Sequence, residues 1–292
     1  MIRVITIVLL SLLALGGAGV GTVYLLSESQ LRDVPQALAF DLPIPTDAAA
    51  IERGRHLART RGCFGCHGQE LEGRVFSSEW DWVDRAVAPN LALHARQHSS
   101  QVLERAIRQG VGHDGRALWS MPSYNWVHLS DSDTADLIAF LQNAPVVEKD
   151  LPSPRLGLGI RLSMVLGRDT HMADWAADVP PLQLRSDAEE SLRRGEYLAM
   201  TTCNECHGFD LRGATNGGAM PDLAILGAYS DDSFRTLMQL GVGLGGRDDL
   251  NLMSMVAKDR FAYFTDQELE DLLAFLRTLP GKPIPQGVWW RQ

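Results

Sequence analysis

The pattern Cys-x-x-Cys-His occurs twice in this chain of 292 residues, and no other feature restricts the fold as strongly. The first copy is Cys63-x-x-Cys66-His67, and the second is Cys203-x-x-Cys206-His207. The chain has no other cysteines, so a disulfide scaffold cannot hold a protein of this length together. The chemistry of the chain is therefore expected at two places, one in each half.

The sequence around the two motifs repeats as well, in the same order along both halves of the chain. The paired features are Arg53-Gly54 and Arg194-Gly195, Pro89-Asn90-Leu91 and Pro221-Asp222-Leu223, Gly110-Val111-Gly112 and Gly241-Val242-Gly243, and Ser130-Asp131 and Thr265-Asp266. A repeat with this period indicates two copies of one domain of about 90 residues.

Each copy has the same helical plan, which predicts an all-α fold. In each last helix, leucine and phenylalanine recur at i, i+3 and i+4 and form one apolar face. Thr265 and Glu268 form a capping box at the start of the second of these helices. The predicted helices are 48–63 and 187–203 (opening), 100–109 and 231–240 (middle), and 131–142 and 266–277 (last).

An uncharged segment from Val4 to Leu26 begins the chain. As a helix it would be about 34 Å long, enough to cross a hydrocarbon core of about 30 Å. Arg3 precedes it, so the positive-inside rule places the rest of the chain outside the cytoplasm. A cleaved signal peptide is the alternative, although its apolar region would be shorter. The following residues, 27–50, contain three prolines and are expected to be an extended tether.

These features divide the chain into six parts. Residues 146–186 contain four prolines and a short apolar stretch interrupted by Arg161, which is too short to span a bilayer, so they are expected to pack along the two domains. Trp289 and Trp290 in the tail are expected to cover domain surface. The parts are a transmembrane anchor (1–26), the tether (27–50), a first domain (51–145), a linker (146–186), a second domain (187–282) and a tail (283–292).

Two thiols separated by two residues at the end of a helix can form thioethers with both vinyl groups of one haem. The adjacent histidine then becomes the proximal ligand of the iron. A structural zinc site would need both cysteine pairs at one metal, and a thioredoxin-like motif would need no histidine. The sequence therefore predicts two haem c groups, bound through Cys63, Cys66 and His67 and through Cys203, Cys206 and His207.

The sixth ligand of the first iron is predicted to be Met121, which precedes Pro122 in the loop between the middle and last helices. Four histidines of the same domain compete with it for this role: His94, His98, His113 and His128.

In the second copy no histidine follows His207, so ligation by two histidines within that domain is excluded. The corresponding loop has two methionines. Counting forward from Gly246-Arg247 favours Met253, whereas counting back from the last helix favours Met255, and Met253 is the preferred assignment. Pro89 and Pro221 follow the two proximal histidines at a spacing that suits a backbone carbonyl accepting the second imidazole N–H.

Both halves resemble the class I mono- and dihaem cytochromes c. The resemblance lies in the cysteine motifs, in Met121-Pro122 and in Leu252-Met253-Ser254, a context in which the methionine of this family is usually the ligand. The long loop from Arg74 to Ala88, with Trp80 and Trp82, departs from the family pattern and is interpreted as an insertion or a docking surface.

The resemblance implies a membrane-anchored electron carrier, not an enzyme, that serves a respiratory dehydrogenase or quinol-oxidising complex and a terminal oxidase or reductase. It would be tethered or a fixed subunit, with its haem domains on the periplasmic side of the inner membrane. The net charge of −9 opposes nucleic-acid binding and suits a redox partner with a basic docking surface. A dihaem peroxidase, which needs an open iron site, and a haem sensor are the alternatives.

Overall fold

The computed structural model describes residues 2–36, 38, 40–76, 84–213, 220–282, 284, 287–288 and 290. In this part of the chain nearly all regular structure is helical, which confirms the all-α prediction. The strands β1 (Arg74–Val75) and β3 (Val87–Ala88) pair antiparallel, as do β2 (Asp84–Arg85) and β4 (Arg155–Leu156). The α-helices are α1 (Ile2–Arg32), α2 (Ala48–Thr60), α3 (Cys63–His67), α4 (Leu91–Gln97), α5 (Ser100–Gln109), α6 (Asp131–Asn143), α7 (Leu158–Val165), α8 (Met172–Ala177), α9 (Glu190–Thr202), α10 (Asn204–His207), α11 (Asp231–Leu240), α12 (Leu252–Asp259) and α13 (Asp266–Leu276).

The six helices predicted from the repeat are present as α2, α5, α6, α9, α11 and α13. Their ends follow from local chemistry. Ser130 accepts a hydrogen bond from the Asp133 N–H at the start of α6, and the capping box of Thr265 and Glu268 begins α13. Gly110 ends α5 in the left-handed region at φ 68°, as Gly241 does for α11 at φ 70°.

The opening and last helices of each domain cross at very short distance because a glycine lies at each crossing. A Cβ atom on Gly54 would be 1.9 Å from the carbonyl oxygen of Asp136, and one on Gly195 would be 2.1 Å from that of Asp271. The arginine before each glycine binds the facing helix on the solvent side of this crossing. Its Nε donates to the buried aspartate at 2.6 Å and its Nη2 at 3.2 Å, in the pairs Arg53–Asp136 and Arg194–Asp271. The repeated Arg-Gly sequence therefore defines the helix crossing of each domain.

Each domain has its own apolar core between these crossed helices. The first core is built around Leu57, Leu103, Ile138, Phe140 and Leu141. The second core is built around Leu198, Phe234, Leu237, Leu272 and Leu276. The last helix of each domain contributes to its core the apolar face that the i, i+3, i+4 spacing predicts.

The N-terminal helix extends beyond the apolar segment and ends at Arg32. Residues 27–32, which are expected from the sequence to be extended, are therefore helical, and Ser27 and Leu31 are buried. Arg161 of α7 donates to Ser27 Oγ at 2.9 Å, and Glu28 and Arg32 form an ion pair one turn apart. Further along, Phe40 is buried in the first core, so the segment after α1 lies against the domain instead of extending freely from it.

Helix α1 is also the part of the described chain with the length and composition to cross a membrane, with a mean hydropathy of 2.3 in its most apolar window. Its apolar side chains from Val4 to Leu15 are exposed. A retained anchor and a signal sequence both have these properties.

The linker packs along the two domains, as its composition predicts. The Met172 N–H donates to the carbonyl of Leu118 in the first domain at 3.0 Å. At the other end, the buried Glu196 of α9 accepts backbone N–H groups from Gln183 and Leu184. Trp290 of the tail packs its ring 5.3 Å from that of Phe209. Trp80, Trp82 and Trp289 lie outside the described residues.

Replacing Gly195 with alanine is expected to destabilise the second domain by about 1–3 kcal/mol or more, since the new methyl group would overlap the α13 backbone. Gly54→Ala should do the same in the first domain. Thermal unfolding of the purified protein measures both effects.

Gly159→Ala is the matched control, because nothing lies within 4 Å of a Cβ atom at Gly159 in α7. This change should be neutral or stabilising by up to about 1 kcal/mol. Equal melting temperatures for Gly195→Ala and Gly159→Ala would contradict the close crossing.

Candidate cofactor sites

The first Cys-x-x-Cys-His motif forms a helix of its own, α3, directly after α2. Gly62 separates the two helices in the left-handed conformation at φ 83°, which glycine adopts without strain. His67 at the end of α3 is 7% exposed, and its Nδ1 lies 2.9 Å from the carbonyl oxygen of Pro89. The histidine of the second motif has the same surroundings, with His207 9% exposed and its Nδ1 2.9 Å from the carbonyl oxygen of Pro221.

A tight turn after each histidine brings the proline carbonyl into place. The Gly73 N–H donates to the carbonyl of His67 at 2.7 Å, and the Gly213 N–H donates to that of His207 at 3.0 Å. A Cβ atom on Gly73 would lie 2.8 Å from the carbonyl oxygen of Ala88, so this position needs glycine for the proline segment to approach. The predicted hydrogen bonds to Pro89 and Pro221 are confirmed.

These hydrogen bonds determine which nitrogen is available for a metal. When Nδ1 donates to a carbonyl, Nε2 is left with its lone pair and the ring orientation is set. Burial lowers the pKa of His67 and of His207, and the hydrogen bonds to the proline carbonyls oppose that shift only in part. Both imidazoles are therefore neutral at physiological pH, which is the form that coordinates a metal.

The four cysteines are thiols in this structure and form no disulfide. Burial raises the pKa of Cys63 to about 12 and the pKa values of Cys203 and Cys206 to about 11. Among the described residues, neither motif gathers three or more cysteine, histidine or carboxylate ligands around one point. This arrangement does not favour the zinc alternative.

Met121 lies where it is expected from the sequence, in the loop that leads into a 3₁₀ helix at Ser123–Trp126. Its side chain packs against the core of the first domain, as Cys63 does. The Ser123 N–H donates to the Met121 carbonyl at 2.8 Å, which stabilises this loop. Met121 and the first motif are thus brought to one core.

Met253 and Met255 lie in helix α12, and the expectation that they lie in a loop is wrong. The helix begins after Asn251, which has a positive φ of 51°. Because residues two apart point to nearly opposite sides of a helix, only one methionine can face the domain. Met253 packs against the second core, which contains Cys203, whereas Met255 is 55% exposed.

The four competing histidines of the first domain separate into two groups. His128 Nε2 lies 2.9 Å from the carbonyl oxygen of Pro180 and so binds the linker. His94, His98 and His113 gather together, with their ligand nitrogens within 4.8 Å of one another. Burial and the charges of His98, His113 and His67 lower the pKa of His94 to about 4.

Two arginines, Arg61 and Arg260, bring positive charge close to the cysteine motifs of both domains. A Cβ atom on Gly62 would be 2.3 Å from Cζ of Arg260, so this glycine accommodates a guanidinium from the other domain. Arg260 also forms an ion pair with Glu205 at 3.0 Å, and its charge acts on Cys66 and on Cys206. Arg61, which is 3% exposed, acts on Cys63 and on Cys203. Arg260 therefore contacts both motifs, the first at Gly62 and the second at Glu205.

Other interdomain contacts surround these arginines. Nε2 of His56 lies 2.9 Å from a carboxylate oxygen of Glu268, and the Tyr197 hydroxyl donates to Asp133. This interface was not predicted from the sequence. The one available signal was the difference between the two copies, since Gly62 has Thr202 as its counterpart.

The model of the cytochrome c family matches this chain twice, at residues 51–145 and 192–280. The cytochrome c subunit of gluconate 2-dehydrogenase from Pantoea cypripedii is 24% identical over 293 residues, covering 82% of this chain and 62% of the relative. The cytochrome c subunit of a quinone alcohol dehydrogenase from Gluconobacter oxydans is 24% identical over 276 residues, covering 82% and 56%.

A third relative belongs to the nicotinate dehydrogenase of Pseudomonas putida. It is 26% identical over 192 residues, covering 59% of this chain and 15% of the relative. The chain spans about three fifths of the length of the first two relatives. The family model covers well over half of the chain, in the two segments that contain the cysteine motifs, and the fold and the buried histidines agree with it. The chain belongs to the cytochrome c family, whose members carry covalently bound haem c.

Proposed function

We propose that this protein is a membrane-anchored dihaem cytochrome c that relays single electrons from a respiratory dehydrogenase or quinol-oxidising complex towards a terminal oxidase or reductase. The observation that carries the proposal is the position of Arg260, which lies against Gly62 and Gly65 at the first Cys-x-x-Cys-His motif and forms an ion pair at 3.0 Å with Glu205 inside the second motif. A chain that binds two haems at facing motifs has a route for electrons within one molecule.

The donor atoms at each motif fit a haem. Cys63 and Cys66 would hold the first group and Cys203 and Cys206 the second, each through two thioether bonds. The neutral Nε2 atoms of His67 and His207 would be the proximal ligands. Haem iron, when bound, supplies a one-electron redox couple.

The methionines would complete the ligand sets, Met121 in the first domain and Met253 in the second. A thioether is a soft, weakly basic donor that raises the potential of haem iron and leaves no open coordination position. Pro89 and Pro221 hold the proximal rings in orientation, while the cores exclude water around them. Saturated sites of this kind suit an electron carrier and not a peroxidase.

The relatives support a dehydrogenase as the electron donor. Two of them are cytochrome c subunits of gluconate and alcohol dehydrogenases. The base of α1 packs against α7 through Ser27 and Leu31, which would fix the haem domains relative to the anchor. We therefore favour a fixed subunit of a membrane complex over a carrier on a flexible tether, with the haem domains on the periplasmic side.

Changing Cys203 and Cys206 together to alanine is expected to remove one covalent haem and leave the other, because each motif attaches its own group. Intact mass and a haem-stained denaturing gel measure the haem content. The wild-type chain should carry two haems and the variant one. A variant that retains the full wild-type complement would refute the assignment of the second site.

Replacing Met253 with alanine is expected to open an axial position on the second iron. The reduced variant should then bind carbon monoxide, and its oxidised spectrum should lose the thioether-to-iron charge-transfer band of that domain. Met255→Ala is the control, since its exposed side chain should leave both properties unchanged. Carbon monoxide binding by the Met255 variant alone would reverse the assignment.

Arg260→Ala is expected to lower the reduction potentials of both haems by an amount on the order of tens of millivolts, because a positive charge near the iron stabilises the reduced form. Arg260→Lys should retain most of the wild-type potentials, and Glu205→Gln should shift them upward. Spectroelectrochemical titration checks these directions. An Arg260→Ala change that moves neither potential would contradict the position of this guanidinium between the motifs.

A further inference from the structure

Three histidines of the first domain form a cluster beside the proposed haem ligands. His94 and His98 belong to α4 and its C-terminal end, and His113 belongs to the loop after α5. The ring centroids lie 4.3 Å apart for His94 and His98, 4.7 Å apart for His98 and His113, and 5.3 Å apart for His94 and His113. Their ligand nitrogens all lie within 4.8 Å of one another.

Local structure holds the first two rings on one side of α4. Asn90 caps this helix by accepting the Leu93 N–H at 3.0 Å, and the buried Ala92 and Ala95 fix its inner face. His94 lies in the helix and His98, four residues later, is its C-cap residue, and both side chains are half-buried. This i, i+4 pair is the spacing by which a single helix supplies two histidines to a zinc ion.

The loop that supplies the third ring is a closed turn. The Gly112 N–H donates to the carbonyl of Arg116 at 2.8 Å, and the Leu118 N–H donates to that of Gly110 at 2.7 Å. Asp114 accepts the Arg116 N–H within the turn. The backbone around His113 is thus held in place opposite α4.

Among the described residues, none of the three rings has a hydrogen-bond partner, so their nitrogens remain available to a ligand. The three rings are therefore a set of converging imidazole donors.

We propose that His94, His98 and His113 form a binding site for a divalent transition-metal ion of the zinc, copper and nickel type. Imidazole is a preferred ligand of these ions, whereas calcium and magnesium require oxygen ligands. Three histidines with a water molecule in the fourth position form a complete tetrahedral zinc shell. The ligand nitrogens, which lie within 4.8 Å of one another, would move closer together to bond one zinc ion at about 2.0–2.1 Å.

The site lies close to His67 because α4, which carries His94, begins directly after Pro89 and Asn90, and the Pro89 carbonyl oxygen lies 2.9 Å from His67 Nδ1. A bound dication would therefore stabilise the reduced form of the first haem and raise its potential. This consequence rests on the proposed function, whereas metal binding itself does not.

Zinc is the probe of choice because it has no redox chemistry that could interfere with the haems. Calorimetric titration of the purified holoprotein with Zn²⁺ is expected to show one ion per chain, and elemental analysis after desalting should agree. Loss of an outer-shell partner alone weakens a metal site by about 10–100-fold, so each of His94→Ala, His98→Ala and His113→Ala should weaken binding by at least about tenfold. His56→Gln removes a histidine elsewhere in the domain and should leave the affinity unchanged.

Zinc binding of equal affinity in the triple variant would overturn the proposal, as would a wild-type holoprotein that binds no zinc. The second readout is the potential of the first haem, which zinc should raise in the wild type and not in the triple variant. If the purified protein binds zinc but contains no haem, the proposed function is wrong and the zinc site is still supported.

Discussion

The close crossing of the opening and last helices in each domain is the contact on which the rest of the structure depends. It requires Gly54 and Gly195, because any larger residue would overlap the backbone of the facing helix. The opening helix leads directly into the cysteine motif, so the crossing also sets where the thiols and the proximal histidine lie. The exposed Arg53 and Arg194 bind the buried Asp136 and Asp271 and stabilise the same crossing from its solvent side.

The two copies share this architecture but differ where they meet. Gly62 of the first motif provides room for Arg260 of the second domain. A side chain at that position would displace the guanidinium that lies between the two motifs. The interface is therefore polar, and the positive charge of this guanidinium would favour the reduced form of the two proposed haems.

Much of the geometry of the candidate cofactor sites could be predicted from the sequence because their residues are consecutive or repeat at a fixed spacing. Cys63, Cys66 and His67 are local, and the Pro89 carbonyl could be inferred because Pro221 stands in the same place in the second copy. Contacts between the domains follow no consecutive or repeated pattern, so the position of Arg260 at this interface could not be predicted. The sequence indicates part of the three-histidine cluster, because His94 and His98 are four residues apart. His113 joins them only through the fold.

Two errors have identifiable causes. Prolines further along suggested an extended chain after Leu26, yet the ion pair of Glu28 and Arg32 and the buried Leu31 continue the helix. The segment Leu252–Asp259 is rich in helix-forming residues. It was nevertheless expected to be a loop because it occupies the same place in the repeat as the Met121 loop. In both segments the local helical preference of the residues determined the structure, and neither the nearby prolines nor the correspondence between the two copies predicted it.

The central claim is that electrons pass between two haems within one chain across the facing motifs. Photochemical injection of one electron into the oxidised holoprotein tests it most directly, with the spectra of the two haems followed over time. The account predicts that the electron redistributes between the haems at a rate that does not depend on protein concentration. A rate proportional to concentration would show that transfer occurs only between molecules and would contradict the account.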